Sequence, residues 1–179
     1  MTYNLLMILL GVVLTLGTAI FVAAEFSFVA LDQASVERRA LQGERGAARV
    51  LRALKHLSTQ LSGAQVGITL TTILLGYTTQ VALATMFQGL FESQGLSLAL
   101  SIGFGAAIAL ILVNLFSMLF GELVPKNMAL ADPMKTATLT SGAQMAFTWL
   151  FSPVIKVLNG TANWILRRFG IEPKEELSS

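Results

Sequence analysis

The sequence predicts an all-α integral membrane protein with three transmembrane helices, and three observations support this prediction. Of the 179 residues, 54% are hydrophobic and only 12% are charged, whereas soluble domains are about 25% charged. Three apolar stretches, residues 5–31, 61–90 and 96–124, are each long enough to cross about 30 Å of hydrocarbon. All twelve Lys and Arg residues lie outside these stretches. The net charge of +2 therefore reflects membrane topology and does not indicate nucleic-acid binding.

The first apolar stretch occupies the position of a signal peptide, but it has no positively charged start. Its length far exceeds the ~7–15 residues of a signal-peptide core, so we expect a retained transmembrane helix. Glu25 lies close to the end of this stretch. Its carboxylate either faces the protein interior or reaches back to the membrane interface.

The basic residues predict how the chain crosses the membrane. They form two blocks, within residues 38–55 and 126–174, while residues 1–4 and 88–95 carry none. Because basic segments stay on the cytoplasmic side, both blocks are expected there. We therefore expect a multi-pass protein of the plasma membrane, with the N-terminus outside and the C-terminus in the cytoplasm.

Residues 33–57, between the first two spans, are predicted to form an amphipathic segment on the membrane surface. Apolar side chains recur there near helical spacing, with Arg and Glu on the other face. Gly43 and Gly46 are expected to divide this segment into two helices. Its arginines would lie near the lipid phosphates.

Residues 134–169 form a second predicted juxtamembrane segment. Asp132-Pro133 is a helix-start signal, and Ser152-Pro153 interrupts the segment. A fourth span is the alternative, but the apolar run of about 17 residues is at the lower limit of spanning length. We expect a pair of interfacial helices packed under the three spans.

A carboxylate closes the third apolar stretch and is the strongest functional signal in the chain. No charged side chain occurs from Leu96 to Gly121, and Glu122 follows directly. A carboxylate in such a place is costly unless it is paired, protonated or bound to a cation. Pro125 has no N–H, so the carbonyl of Gly121 loses its helical donor. A carboxylate and a free carbonyl are the hard oxygen ligands that Mg²⁺ or Ca²⁺ prefers.

The sequence leaves a second interpretation of Glu122 open. The residue could mark the end of a helix at the membrane interface. There its side chain would reach water or pair with Lys126, four residues further on.

Four segments of the chain together resemble a known family. They are Phe21-Val22-Ala23-Ala24-Glu25-Phe26, Leu61-Ser62-Gly63-Ala64-Gln65-Val66-Gly67-Ile68-Thr69-Leu70, Phe120-Gly121-Glu122-Leu123-Val124-Pro125-Lys126 and Gly170-Ile171-Glu172-Pro173-Lys174-Glu175-Glu176. In this order they are similar to the DUF21 transmembrane domain of the CNNM/CorC (HlyC/CorC) family, over essentially the whole chain. The Gly-Glu-x-x-Pro-Lys motif that begins at Gly121 is the most specific of them.

The resemblance implies an architecture and a function. It implies a DUF21-like transmembrane domain over residues 1–169 and a linker over residues 170–179 that leads to cytoplasmic CBS domains. It also implies a homodimer in the lipid bilayer with a cation site in an inward-facing cavity. The implied activity is export of Mg²⁺, coupled to entry of Na⁺.

The implied cation site is centred on Glu122, with Gly121 beside it. The chain departs from the family at three positions. Many members carry a serine where this chain has Val22, and asparagines where it has Ile68 and Thr72.

Other oxygen-bearing side chains are candidates to replace those ligands. Gln65, Thr69 and Thr72 recur at spacings of four and three, which places them on one face of a helix. Glu25 and Ser27 of the first span complete the candidate set. The alternative for the hydroxyl residues is that they bond the carbonyl of the preceding turn or join neighbouring helices.

Two functions from different classes therefore remain. In the first, the chain is the membrane domain of a secondary cation transporter. In the second, it is a transport-incompetent scaffold or regulator that anchors CBS domains or partner proteins. An enzyme is not expected, because the chain has one His and no candidate nucleophile–base pair.

Overall fold

The structure, a computed structural model, describes residues 2–171, and this part of the chain is all-helical. Three of its helices are long and apolar enough to cross a membrane: Thr2–Ala30, Leu57–Ser93 and Leu98–Ala131. The predicted class of helical membrane protein is thereby confirmed. In chain order the α-helices are α1 (Thr2–Ala30), α2 (Gln33–Leu41), α3 (Ala47–Lys55), α4 (Leu57–Leu75), α5 (Val81–Ser93), α6 (Leu98–Phe116), α7 (Val124–Ala131), α8 (Pro133–Leu150) and α9 (Ser152–Arg168).

Two short π-helical segments interrupt the second and third long helices. Gly76–Gln80 joins α4 to α5, and Ser117–Leu123 joins α6 to α7. The apolar pattern of the sequence did not predict either segment. One extra residue in a helical turn changes neither the composition nor the length of the apolar stretch that contains it. The predicted linker over residues 170–179 lies outside the described residues from position 172 onward.

The chain divides into two compact units, and the long helices contribute to both. Within the described residues, the first unit comprises residues 2–20 and 68–125. The second unit comprises residues 21–67 and 126–171. It contains all of the juxtamembrane helices, α2, α3, α8 and α9.

In the first unit, α5 and α6 form a hairpin whose backbones approach closely at Gly105. A β-carbon placed on Gly105 would lie 2.8 Å from the Ala84 carbonyl oxygen and from the Gln88 nitrogen, so only glycine fits. The N-terminal half of α1 joins this unit through a hydroxyl, since Thr79 donates to the Met7 carbonyl at 2.7 Å. Small residues and hydroxyls are the usual means by which helices associate in membranes.

In the second unit, an apolar core connects the end of α1 with the juxtamembrane helices. Phe28, Val36 and Val50 are each at most 1% exposed. Gly43 and Gly46, at φ of 75° and 83°, separate α2 from α3 as their positions predicted. The full core cluster is Ala24, Phe28, Val36, Ala47, Val50, Ala53, Leu54, Met134 and Ala137.

Helix α8 packs in the second unit through polar side chains. It begins where predicted, and the Asp132 carboxylate caps it by accepting from the Lys135 N–H at 3.2 Å. The buried Gln144 side chain donates to the Gln60 carbonyl at 2.9 Å, and the Thr148 hydroxyl donates to the Gln60 side-chain oxygen at 3.1 Å. This network accounts for Gln144 and Thr148 of α8, which is not among the three long apolar helices.

Candidate cation site

Glu122 lies inside the third long helix and not at its end. The π-helical segment Ser117–Leu123 contains it, and α-helical structure continues from Val124 to Ala131. At 1.5 Å per residue, the nine residues from 122 to 131 place Glu122 about 14 Å from the end of the helix. The helix therefore continues beyond residue 124, where the third apolar stretch was expected to end, and Glu122 does not terminate it. The alternative of an interfacial position for Glu122 stays a prediction.

The backbone around Glu122 is widened by the π-helical turn. The Val124 N–H donates to the Leu119 carbonyl, five residues back. Pro125 has no N–H with which to bond the Gly121 carbonyl at the usual α-helical spacing. Such π-helical turns occur frequently at functional sites. A carbonyl and a carboxylate, both hard oxygen donors, are thus neighbours in the chain here.

The Glu122 side chain is exposed on the surface of the single chain. The residues around it in the helix are apolar and also exposed, with Phe120 at 47% and Leu123 at 44%. A charged group is therefore placed on an otherwise hydrophobic surface of the third span. Ionisable residues in membrane spans face a bundle interior, a cavity or a partner.

Three hydroxyl side chains that the sequence analysis missed lie beside Gly121. A β-carbon placed on Gly121 would be 3.5 Å from atoms of Thr15, Thr18 and Ser117. The Thr18 hydroxyl lies 2.7 Å from that of Thr71. The Thr15 hydroxyl is buried and has no hydrogen-bond partner among residues 2–171. The spacing of three between Thr15 and Thr18 could have indicated that they share a helix face.

The structure brings two of the predicted site residues together in the second unit. The Gln65 side chain hydrogen-bonds to the Glu25 carboxylate. Glu25 is half-buried, and Gln65 is exposed. Ser27 is fully buried, and its hydroxyl donates to the Ala24 carbonyl at 3.0 Å. Glu25 and Gln65 therefore form a carboxylate–amide pair. The Ser27 hydroxyl instead donates its proton within its own helix.

The predicted residues Thr69 and Thr72 lie in the first unit on exposed positions of α4. The Thr72 hydroxyl donates to the Ile68 carbonyl at 2.8 Å. This is the intrahelical bond that membrane-helix threonines commonly make. This bond uses the hydroxyl proton of Thr72, but the hydroxyl oxygen keeps lone pairs with which it can bind a cation.

Lys126 contacts an aromatic ring in the second unit. Its ammonium nitrogen lies 4.7 Å from the centre of the Phe26 ring. Such a cation–π contact contributes about 0.5–1 kcal/mol at an exposed site. The ring gives the Lys126 charge a partner that is not a carboxylate.

The candidate residues differ from a metal site built on clustered carboxylates or imidazoles. Within the described part of the chain, no three His, Cys, Asp or Glu side chains are grouped as metal ligands. A cation near Glu122 would therefore take neutral oxygens and waters beside a carboxylate, and Mg²⁺ binds readily in this way because it keeps several of its waters. The large cavity of the first unit, about 480 Å³ in volume, has an apolar lining and does not suit an ion.

These features define a class of protein, an integral membrane domain with carboxylates and hydroxyls placed inside its spans. Residues 9–179 match the family described as the cyclin M (CNNM) transmembrane N-terminal domain. The chain therefore belongs to the CNNM transmembrane-domain family, which confirms the resemblance seen in its motifs.

Curated relatives of the chain are longer proteins. It is 46% identical over 166 residues to UPF0053 protein MT1890 of Mycobacterium tuberculosis, covering 93% of the chain and 36% of that protein. It is 34% identical over 170 residues to UPF0053 protein YhdT of Bacillus subtilis, covering 95% of the chain and 37% of that protein. The chain thus spans little more than a third of the length of these two relatives.

Proposed function

We propose that this chain is the membrane domain of a divalent-cation transporter that exports Mg²⁺ in exchange for Na⁺. The observation that carries the proposal is the position of Glu122. Its carboxylate lies on a π-helical turn well inside a 34-residue apolar helix. Ionisable residues placed within membrane helices commonly mark the pathway of an ion.

The energy of Glu122 supports a functional role. A charged side chain within a membrane helix is costly unless it is paired or faces a protein interior or a water-filled cavity. In a single copy of the chain, the exposed apolar surface around Glu122 would face lipid. We propose that a second copy of the chain covers this surface, so that the homodimer places Glu122 beside a water-filled cavity.

The ligand chemistry supports Mg²⁺ as the transported ion. Mg²⁺ prefers oxygen ligands, retains several waters and binds through one or two carboxylates. Glu122 and the Gly121 carbonyl supply such oxygens in the first unit, with Thr69 and Thr72 as further candidates. Glu25 and Gln65 form a separate carboxylate–amide pair within the second unit.

The wider setting of the domain is part of the same proposal. The relatives extend well beyond the matched region, which leaves room for the cytoplasmic CBS domains that we expect after the linker. The two basic blocks favour a plasma-membrane protein with its N-terminus outside and its C-terminus in the cytoplasm. Na⁺ entry would supply the energy for Mg²⁺ export.

Titration of the purified domain with Mg²⁺ tests the proposal. A ligand that binds only the folded state raises its stability by RT ln(1 + [L]/Kd), which is about 2.7 kcal/mol at one hundred times Kd. For a chain of this size that corresponds to a rise of about 5–11 °C in melting temperature. We expect this rise in the wild type and its loss in Glu122→Gln, which keeps the side-chain shape but removes the charge.

Glu92→Gln is the matched control, because Glu92 is exposed at the end of α5 and bonded to Gln88 at 2.8 Å. It should retain the full Mg²⁺ effect. An equal Mg²⁺ effect in Glu122→Gln and the wild type would remove Glu122 from the site. Titrations with Na⁺, Mn²⁺ and Ca²⁺ then show which cation the site prefers.

A second candidate function is a transport-incompetent scaffold that anchors CBS domains or partner proteins. Two observations favour it. Val22, where many family members carry a serine, is buried at 4% exposure and has no oxygen. The described part of the chain also lacks a group of three acidic or imidazole ligands. No stabilisation by any cation would support this function over transport.

A further inference from the structure

We propose that the second unit binds the phosphate group of an anionic phospholipid in a pocket lined by basic residues. This basic pocket is a cavity of about 350 Å³ formed by α2, the α2–α3 loop and the start of α8. The lining residues that matter are Arg39, Glu44, Arg45, Asp132, Lys135 and Leu139. The inference is independent of cation transport.

The topology places the basic pocket at the membrane interface. Within the second unit, α1 ends at Ala30, α4 begins at Leu57 and α7 ends at Ala131. Because consecutive spans alternate in direction, these three ends lie on the same side of the membrane. Helices α2 and α3 and the start of α8 follow or precede those ends by a few residues. The pocket is therefore at the depth of the lipid phosphates, whichever side that is.

The charges of the basic pocket are unbalanced. Its two carboxylates are already engaged, since Glu44 pairs with Arg39 at 3.4 Å and Asp132 caps α8. Neither Arg45 nor Lys135 forms an ion pair with another residue in the described range 2–171. The lining thus carries three cations and two carboxylates, and neither Arg45 nor Lys135 is ion-paired with one of those carboxylates.

A fourth cation lies next to the pocket and stiffens its wall. Arg49 donates to the carbonyl of Thr138, a lining residue, at 3.3 Å. This bond connects α3 to α8, which forms one wall of the pocket. Arg and Lys donors grouped in this way suit a phosphate group, because each donor bonds to a charged oxygen.

The pocket also has an apolar side that fits a lipid better than a free phosphate ion. Met134 and Leu139 line it, and Leu139 is 70% exposed. An exposed leucine beside unpaired cations matches a molecule with a charged head and a hydrocarbon tail. Basic pockets at the ends of membrane helices are known to bind anionic lipid headgroups.

Lipid binding to the purified chain tests this inference. The chain in a neutral detergent is titrated with phosphatidylglycerol or phosphatidylcholine, and bound lipid is measured by native mass spectrometry. We expect phosphatidylglycerol to bind more tightly than phosphatidylcholine. The double variant Arg45→Gln/Lys135→Gln should weaken phosphatidylglycerol binding about 30-fold, the effect of two interfacial charges.

Two further variants keep the result interpretable. Arg38→Gln/Arg52→Gln removes the same charge from exposed positions of α2 and α3 outside the pocket and should retain tight binding. Arg45→Lys/Lys135→Arg preserves both charges and should also bind phosphatidylglycerol tightly. A melting temperature equal to that of the wild type shows that this variant is folded.

Three outcomes would overturn the inference. One is equal binding of the two lipids by the wild type. Another is an equal loss of binding in the pocket and control variants, which would mean general attraction to a basic surface. The third is displacement of the lipid by millimolar inorganic phosphate, which would make free phosphate the ligand.

Discussion

Replacement of Gly67 by alanine tests the packing of α1 against α4 in the second unit. A β-carbon on Gly67 would lie 2.6–2.7 Å from three atoms of the Phe21 ring. Ordinary contacts begin at 3.4 Å, so the ring or the helix must move by about 0.8 Å (3.4 − 2.6). The ring is not free to move, because Phe147 packs on it at 4.6 Å and Phe151 stacks on Phe147 at 4.3 Å.

The expected cost of Gly67→Ala follows from two opposing effects. Overpacking of a filled site costs about 1–3 kcal/mol. Replacing a glycine in a helix interior with alanine stabilises the folded state by about 0.5–1 kcal/mol. We therefore expect a net loss of up to about 2.5 kcal/mol in the free energy of unfolding. That corresponds to a fall of up to about 10 °C in melting temperature.

Thermal unfolding of the purified chain in detergent measures this change. Gly103→Ala is the matched control, since Gly103 is also in a long apolar helix but has nothing within 4 Å of its added β-carbon. The control should unfold at or slightly above the wild-type temperature. The double variant Gly67→Ala/Phe21→Leu should lose less stability than the sum of its single variants, because the smaller side chain makes room.

Equal melting temperatures for Gly67→Ala and Gly103→Ala would contradict this expectation. The Phe21 ring would then not lie against Gly67 as described. Additive effects in the double variant would lead to the same conclusion, since two residues in contact should couple.

Two further predictions concern the packing of each unit. Thr148→Val removes the hydroxyl that accepts from Gln144 and donates to Gln60. It should destabilise the chain by about 1–3 kcal/mol, while Thr148→Ser keeps most of the stability; equal melting temperatures of the two variants would argue against the network. Gly105→Ala would push a β-carbon against the backbone of α5, so it should lower the melting temperature well below that of Gly103→Ala.

The protein class, a helical membrane protein, and the number of its spans follow from local properties of the sequence. Span length, apolar content and the grouping of basic residues can be read without knowing any contact. The division of residues 33–57 at Gly43 and Gly46 is also local, because a positive φ favours glycine whatever surrounds it. Glu122 was identified for the same reason, since an isolated carboxylate in an apolar run is visible in the sequence alone.

The candidate site was predicted only in part. Glu25 and Gln65 are paired in the structure, but their pairing depends on how α1 packs against α4, which no periodicity specifies. Thr15 was missed because its spacing of three from Thr18 indicates a shared helix face but not which helix that face contacts. Its position beside Gly121 follows from the packing of α1 against the third long helix.

The motifs and apolar stretches of the chain were enough to predict a three-span membrane domain of the CNNM family with a carboxylate in its third span. These properties depend on composition, length and short motifs, which each segment carries alone. The three-dimensional structure was needed to show that the third helix continues through Pro125 to Ala131 and that a π-helical turn carries Glu122. Helix continuation past a proline and a widened turn each sacrifice regular backbone bonds, so packing against other segments must stabilise them.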